Sequence, residues 1–453
     1  MSSADPTGAI GAIEHRDAGA ALRRLATPNA LALVSDQLLG IVDTIAIGAL
    51  GTAALAAITG AVGVFMVLGI GLIAFGSGLR IVGAQAIGSG ESARFGAIVR
   101  AATVVPLAIA IVAALASLAG AKPLMAAMLP HGAPADAAAR YLVLRMFSLI
   151  PMICSGILAV AFATAGDAKP MLRLLLVINA VHVPLVFVLA LGVGTGHAFG
   201  LTGAGISSLC AELVGLAYMV RLTLRRPELG VFASRRIDRG LVAQTASISW
   251  PEFVFLTLQI APEPVTVALL APYGTETVAG FRALSLVSDL TWSLPGALGD
   301  ASEVVLGQRI GARDYAGATV FQRAATRIAV LVCGAAGALC AALAWPLAAA
   351  CTLSPALASL AAAPLAAHVG ITLPLKGYAM TVLAPIRGAG DTRFVMVMGF
   401  VTTGLAMAGI AAGIRLWHFG LWAVPFGWTI GWLVRCAITS ARLRSGDWQR
   451  RRI

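Results

Sequence analysis

Charge is scarce in this chain. Only 11% of its 453 residues are Asp, Glu, Lys or Arg, while 59% are hydrophobic and mean hydropathy is +0.90. An ordinary soluble domain carries about 25% charged residues, so the soluble enzyme classes are excluded and a polytopic membrane protein is expected. Cysteines are also few: the six show no C-x-x-C spacing and sit in Ala-, Leu- and Gly-rich contexts, which excludes a disulfide framework and a metal site. His131, His182, His197, His368 and His418 are scattered among different segments. They form no catalytic cluster of a membrane enzyme, and no phosphate-binding loop supports direct ATP drive or a nucleotide cofactor. The first 22 residues have no long apolar core and carry Asp5, Glu14, Arg16 and Asp17. They read as a cytoplasmic tail, unlike a cleaved signal peptide.

Acidic residues are outnumbered, 20 against 32 basic, for a net charge of +12. Alone, that balance would suggest nucleic acid. The excess lies in short loops and tails, where Arg and Lys set membrane orientation, so the partners expected are the lipid bilayer and a small organic molecule. Neither nucleic acid nor an obligate protein partner is called for.

A crossing helix needs roughly 20 apolar residues. Charge and Gly/Pro clusters divide the chain into twelve candidates, at about 24–49, 53–79, 94–120, 137–163, 170–192, 200–224, 242–270, 276–306, 316–349, 356–386, 392–413 and 418–442. An even number puts both termini on the side of the middle connection. Arg23 and Arg24, then Arg225, Arg226, Arg235, Arg236 and Arg239, then Arg442, Arg444 and Arg450 place that side in the cytoplasm of a bacterial inner membrane.

The chain also repeats itself. Pro28, Gly51-Thr52, Gln85 and Gly88 match Pro251, Gly274-Thr275, Gln308 and Gly311 at an offset of 223, and Ala165-Gly166-Asp167 matches Ala389-Gly390-Asp391 at 224. The expected organisation is a tail (1–23), a first six-helix lobe (24–224), a basic linker (225–241), a second lobe (242–442) and a basic tail (443–453). Two six-helix bundles inserted the same way up imply a pseudo-two-fold axis along the membrane normal and a central cleft, as in transporters.

Several motifs carry a resemblance. Asp43-Thr44 through Gly48 to Leu50-Gly51, with Ala53-Ala54-Leu55-Ala56-Ala57, then Val305-Leu306-Gly307-Gln308 with Gly311-Ala312, then Ile386-Arg387-Gly388-Ala389-Gly390-Asp391-Thr392, resemble in order and spacing the multidrug and toxic compound extrusion (MATE) family. The resemblance covers nearly the whole chain. It implies an all-α fold of about 12 helices and secondary antiport, in which organic, often cationic or amphipathic, compounds leave while protons or sodium ions enter; an exporter of lipid-linked precursors or metabolites is the alternative.

Ionisable groups inside a bilayer are functional candidates by default. Asp36 and Asp43 lie seven residues apart in the first helix, on nearly one face and about 10 Å apart. An apolar surround favours the neutral carboxyl, so such a group can load and release a proton; Asp43 also matches the family's acidic position associated with cation coupling. In the seventh helix Pro262-Glu263-Pro264 is expected to break the helix beside Glu263. By resemblance, Gln259 and Lys376 stand where one branch of the family has acids, which departs from a sodium site of that type. Lys376 is expected to neutralise Glu263 or Asp289, or to act as a tethered cation. Asn179 and Pro184 match the family's Asn…Asp-Pro, with Val183 in place of the acid; His182 reads as a packing residue that titrates in a useful range. Ser208 occupies a family Thr position, where a hydroxyl bonds nearby backbone. Asp289 is placed near mid-membrane, facing the cleft. Acids outnumber Lys376 and Arg282 in these helices, which disfavours an anionic cargo. Met66, Met146, Phe147, Phe255 and Trp292 suit an adaptable lining, and Trp417, Trp422, Trp428 and Trp432 read as interfacial anchors. Asp167 and Asp391 read as turn and cap residues.

Overall fold

The computed structural model describes residues 18–129, 134–352 and 354–450, and only the backbone at 36, 38, 41, 44, 52, 53, 55, 56 and 59. The tail residues 1–17 and 451–453, His131 and the side chain of Asp36 lie outside the described residues. The long elements are α1 (Ala18–Gly48), α2 (Thr52–Ile73), α3 (Gly76–Gly88), α4 (Phe95–Met128), α5 (Ala135–Thr164), α6 (Lys169–Leu191), α7 (Gly200–Leu224), α8 (Arg239–Leu258), α9 (Pro262–Leu270), α10 (Thr275–Gly311), α11 (Tyr315–Ala342), α12 (Ala344–Thr352), α13 (Pro355–Gly388), α14 (Thr392–Arg415) and α15 (Ala423–Arg444). Counting α2 with α3, α8 with α9 and α11 with α12 as broken single segments, these are the twelve expected. Among the described residues, ten segments are apolar and long enough to cross a membrane. The count leaves out α1 and α10; α10 carries Glu276, Arg282, Asp289, Asp300, Glu303 and Arg309 along its length.

Several helix limits differ from the expected ones. The first helix already includes Ala18, inside the expected tail. The segment expected as a single helix over 53–79 breaks at Ala74-Phe75 without any proline. Ser249 of α8 stabilises the break by donating its hydroxyl to the Phe75 carbonyl at 3.1 Å and accepting from the Gly78 amide at 3.1 Å. A side-chain hydroxyl thus replaces the missing intrahelical partners, as hydrocarbon surroundings require. The seventh segment breaks over Gln259 to Ala261, and α9 restarts with Pro262 in its first turn, where the missing amide is harmless.

The chain divides into two compact units. One comprises Leu31–Phe253; the other runs from Val254 onward and includes the first turns of α1 up to Ala30. The basic connection is anchored in the first unit, where the Arg100 guanidinium of α4 donates to the carbonyls of Gly230, Val231 and Arg236 at 2.8–3.3 Å. In the second unit, α14 and α15 approach through small residues. A Cβ on Gly431 would stand 2.8 Å from both the Ala406 Cβ and the Thr402 carbonyl, and one on Gly409 would stand 3.0 Å from the Gly427 Cα. Without a hydrophobic drive between helices in lipid, such close backbone contact supplies the attraction.

The repeat is written into the backbone. Gly51 precedes α2 at φ 104°, ψ 167°, and Gly274 precedes α10 at φ 96°, ψ 164°; Gly166 and Gly390 likewise share positive φ. An L side chain is excluded from the first of these conformations. Nothing lies within 4 Å of a Cβ at Gly274, so Gly274→Ala isolates the backbone cost. It is expected to lower stability by about 1–3 kcal/mol, read as a lower melting temperature of the purified protein, with Gly51→Ala behaving alike.

Candidate functional site

In the first unit the polar residues of α1, α5 and α6 converge. His182 of α6 and Asp43 of α1, 139 positions apart, meet at 2.6 Å between Nε2 and Oδ1. The imidazole is 3% exposed and the carboxylate 30%. A carboxylate only accepts, so the Nε2–H donates. Three residues back on α6, the Asn179 amide donates to the Ser35 hydroxyl at 2.7 Å and to the Ser35 carbonyl at 3.1 Å, and its own Oδ1 is buried without a hydrogen-bond partner. Tyr141 of α5 is near enough to Asp43 and Arg145 to feel both charges. The Arg145 guanidinium lies 3.8 Å over the Phe65 ring, a cation–π contact. His182 is therefore the partner of Asp43 and not a packing residue. Tyr141 and Arg145 have no sequence signal, because nothing in α5 marks which face meets α1. Ser208 donates to the Ala204 carbonyl at 3.1 Å, as a helical hydroxyl does.

In the second unit the expected partners are rearranged. Glu263, in the first turn of α9, pairs with Arg282 of α10 and accepts from the Ser285 hydroxyl at 3.3 Å. Lys376 therefore does not neutralise Glu263. Arg282 lies one helix on and carries a longer, forked head, and it takes that carboxylate instead. The Gln259 amide, in the break itself, donates to Thr403 at 3.1 Å. Lys376 is 6% exposed. Its ammonium donates to the Ser288 hydroxyl at 3.3 Å and lies 5.8 Å from the Trp292 ring and 6.0 Å from the Trp432 ring. Asp289, next to Ser288, is exposed. Trp432 is buried, not interfacial, whereas Trp417 and Trp422 are exposed as expected. Trp432 lies on the face of α15 turned toward α10, 5.9 Å from Trp292, with the Arg435 guanidinium 4.7 Å over its ring.

At the helix ends the acids are fixed by ion pairs. Glu303 faces Arg387 at 3.8 Å, Asp391 pairs with Arg442 at 2.7 Å and Asp167 faces Arg226 at 3.6 Å. Asp167 also accepts the Lys169 amide at 3.2 Å, as a turn residue does. Asp391 makes no side-chain cap bond to α14; it is an anchor for the last helix.

Comparison with known proteins places this geometry. The sequence model of the MatE family matches residues 28–188 and 253–408. A probable multidrug resistance protein NorM of Mannheimia succiniciproducens is 25% identical over 319 residues, 66% of this chain and 65% of the relative. One of Synechocystis sp. is 25% identical over 305 residues, 64% of each. The chain thus spans just under two thirds of the length of these relatives. Among solved structures, the outward-facing conformation of a multidrug resistance MATE family transporter of the MOP superfamily aligns with a TM-score of 0.87 at 18% identity, covering 95% of this chain and 97% of that one. The likeness is of fold: all-helical, two lobes, twelve helices.

His182→Ala would leave the Asp43 carboxylate without its donor. The expected loss is about 1–2 kcal/mol, because the carboxylate keeps partial access to solvent. It is read as a lower melting temperature, partly restored in His182→Gln, whose amide donates from a similar place. An unchanged melting temperature in His182→Ala would make the contact incidental.

Proposed function

Because the chain belongs to the MatE family, we propose that it is a secondary antiporter, not an enzyme, that exports organic compounds by alternating access, with the Asp43–His182 pair as its proton-handling centre. The observation that carries this reading is the 2.6 Å contact between a nearly buried imidazole and a half-exposed carboxylate on two separate helices. Two groups so close titrate as one unit. With one proton the pair is neutral overall; without it the pair is a net anion. The neutral form tolerates a closed, apolar surround, and the anion favours an open, hydrated one. A proton therefore has different affinities for the two arrangements, which is what biases an alternating equilibrium. Tyr141 lies close enough to the same carboxylate to feel its charge.

A proton is favoured over sodium for a further reason. At the positions where a resemblance to one branch of the family calls for acids, Gln259 is engaged with Thr403 and Lys376 presents a fixed ammonium. A small metal cation there would meet a like charge and an amide already in use. The Arg and Lys pattern supports cytoplasmic termini in a bacterial inner membrane. The second reading, an exporter of metabolites or lipid-linked precursors, is favoured by the buried Lys376.

The test is dye efflux from proteoliposomes under separately imposed proton and sodium gradients, with ethidium and the aromatic carboxylate dansylglycine as probes. Proton-driven efflux of at least one dye, reduced by about tenfold or more in Asp43→Asn, is expected. Efflux driven by sodium alone, or undiminished in Asp43→Asn, would refute the proton reading.

A further inference from the structure

The second unit buries a set of hydrogen-bond donors that lack an acceptor. Lys376 Nζ donates to Ser288 Oγ at 3.3 Å, and that hydroxyl lies 3.2 Å from His368 Nε2. The Ser288 hydroxyl has one proton and two lone pairs, so His368 Nε2 either donates to it or accepts from it, according to the tautomer. His368 is 4% exposed, and Nδ1 has no hydrogen-bond partner. Trp432 is 5% exposed, and its indole Nε1–H, which can only donate, has no partner either. The ammonium has three protons, and its recorded polar partner is the single Ser288 hydroxyl, with the faces of Trp292 and Trp432 at 5.8 and 6.0 Å. Orphaned buried donors of this kind are costly and rare in finished structures.

What would satisfy them is fixed by their chemistry. An ammonium and an indole N–H want an anion with several lone pairs. The two indoles, 5.9 Å apart and tilted at 42°, present aromatic surface beside it. Trp292 is 38% exposed, so the cluster is not sealed. The nearby acids do not supply the missing hydrogen bonds: Glu263 is taken by Arg282 and Ser285, and Asp289, which is exposed, attracts Lys376 through space without a hydrogen bond to it.

We propose that α10, α13 and α15 of the second unit form a binding subsite for an aromatic carboxylate. Lys376 and the Trp432 N–H hold the carboxylate, and Trp292 and Trp432 contact the ring. This rests on the transport reading and narrows its cargo to compounds that carry an anionic group. It reverses the expectation from composition that acids in these helices disfavour an anionic cargo, because Glu263 is paired with Arg282 and Asp289 makes no hydrogen bond to Lys376.

The test uses the full chain in phosphatidylcholine nanodiscs and fluorescence anisotropy, with dansylglycine, its uncharged analogue dansylamide, and ethidium as probes. Dansylglycine is expected to bind about tenfold or more tightly than dansylamide. Lys376→Gln should weaken dansylglycine about tenfold or more and leave dansylamide unchanged, with Lys376→Arg retaining most of the affinity. Trp432→Phe, which removes the N–H and little volume, should weaken it about threefold to tenfold and serves if Lys376→Gln does not fold. Equal binding of dansylglycine and dansylamide, or dansylglycine binding that survives both Lys376→Gln and Trp432→Phe, overturns the subsite. The efflux assay separates the two claims. If Lys376-dependent binding occurs but neither dye moves under any gradient, the transport reading falls and the subsite stands; if a dye moves but dansylglycine binding ignores both variants, the reverse holds.

Discussion

Hydrocarbon offers an ionised group no water, so each charge within a span must find a partner or change its protonation state. The interior of this protein is organised by that constraint. Arg282 takes Glu263, Arg387 faces Glu303 and Arg442 takes Asp391, pairs that join helices and leave little to titrate. Asp43 is different, because its partner is an imidazole. An arginine carries a fixed charge, whereas an imidazole exists in neutral and protonated forms, and the proposed coupling role of the pair rests on that difference.

The same constraint explains the backbone. Broken helices are tolerated in a membrane only where other groups take over the freed amides and carbonyls. Ser249 does so at the break between α2 and α3, and proline placement does so at the start of α9. Other helices, such as α14 and α15, run unbroken and pack closely through Gly and Ala.

Much of this was legible in advance, where the signal was local or periodic. The twelve segments, the repeat and the break before Pro262 follow from charge, apolar runs and proline. What could not be read depended on distant partners. The break at Ala74-Phe75 has no proline and exists because Ser249 arrives from another helix. His182 reads as a packing residue until Asp43, 139 positions away, is brought to it. Trp432 reads as an interfacial anchor because position along a helix does not reveal which side faces a neighbour. Charge alone matches Lys376 with Glu263 or Asp289; in the fold Glu263 goes to Arg282, and Lys376 hydrogen-bonds Ser288 beside Asp289.

The two halves share a backbone and differ in chemistry. At the offset of 223, Phe65 and Arg145 correspond to Ser288 and His368, and both pairs are in contact. Asp43 corresponds to Thr266, and at 224 His182 corresponds to Ala406, so the acid and imidazole pair belongs to the first unit alone. The duplicated scaffold thus carries a carboxylate paired with an imidazole in one half and a buried lysine in the other. The most direct test of the coupling claim is proton release from the detergent-solubilised protein in weakly buffered solution, when a transported dye is added to saturation. Linkage between dye and proton requires release of about one proton per dye bound, absent in Asp43→Asn. Binding without proton release, or equal release from Asp43→Asn, would contradict the assignment of Asp43 and His182 as the proton-handling pair.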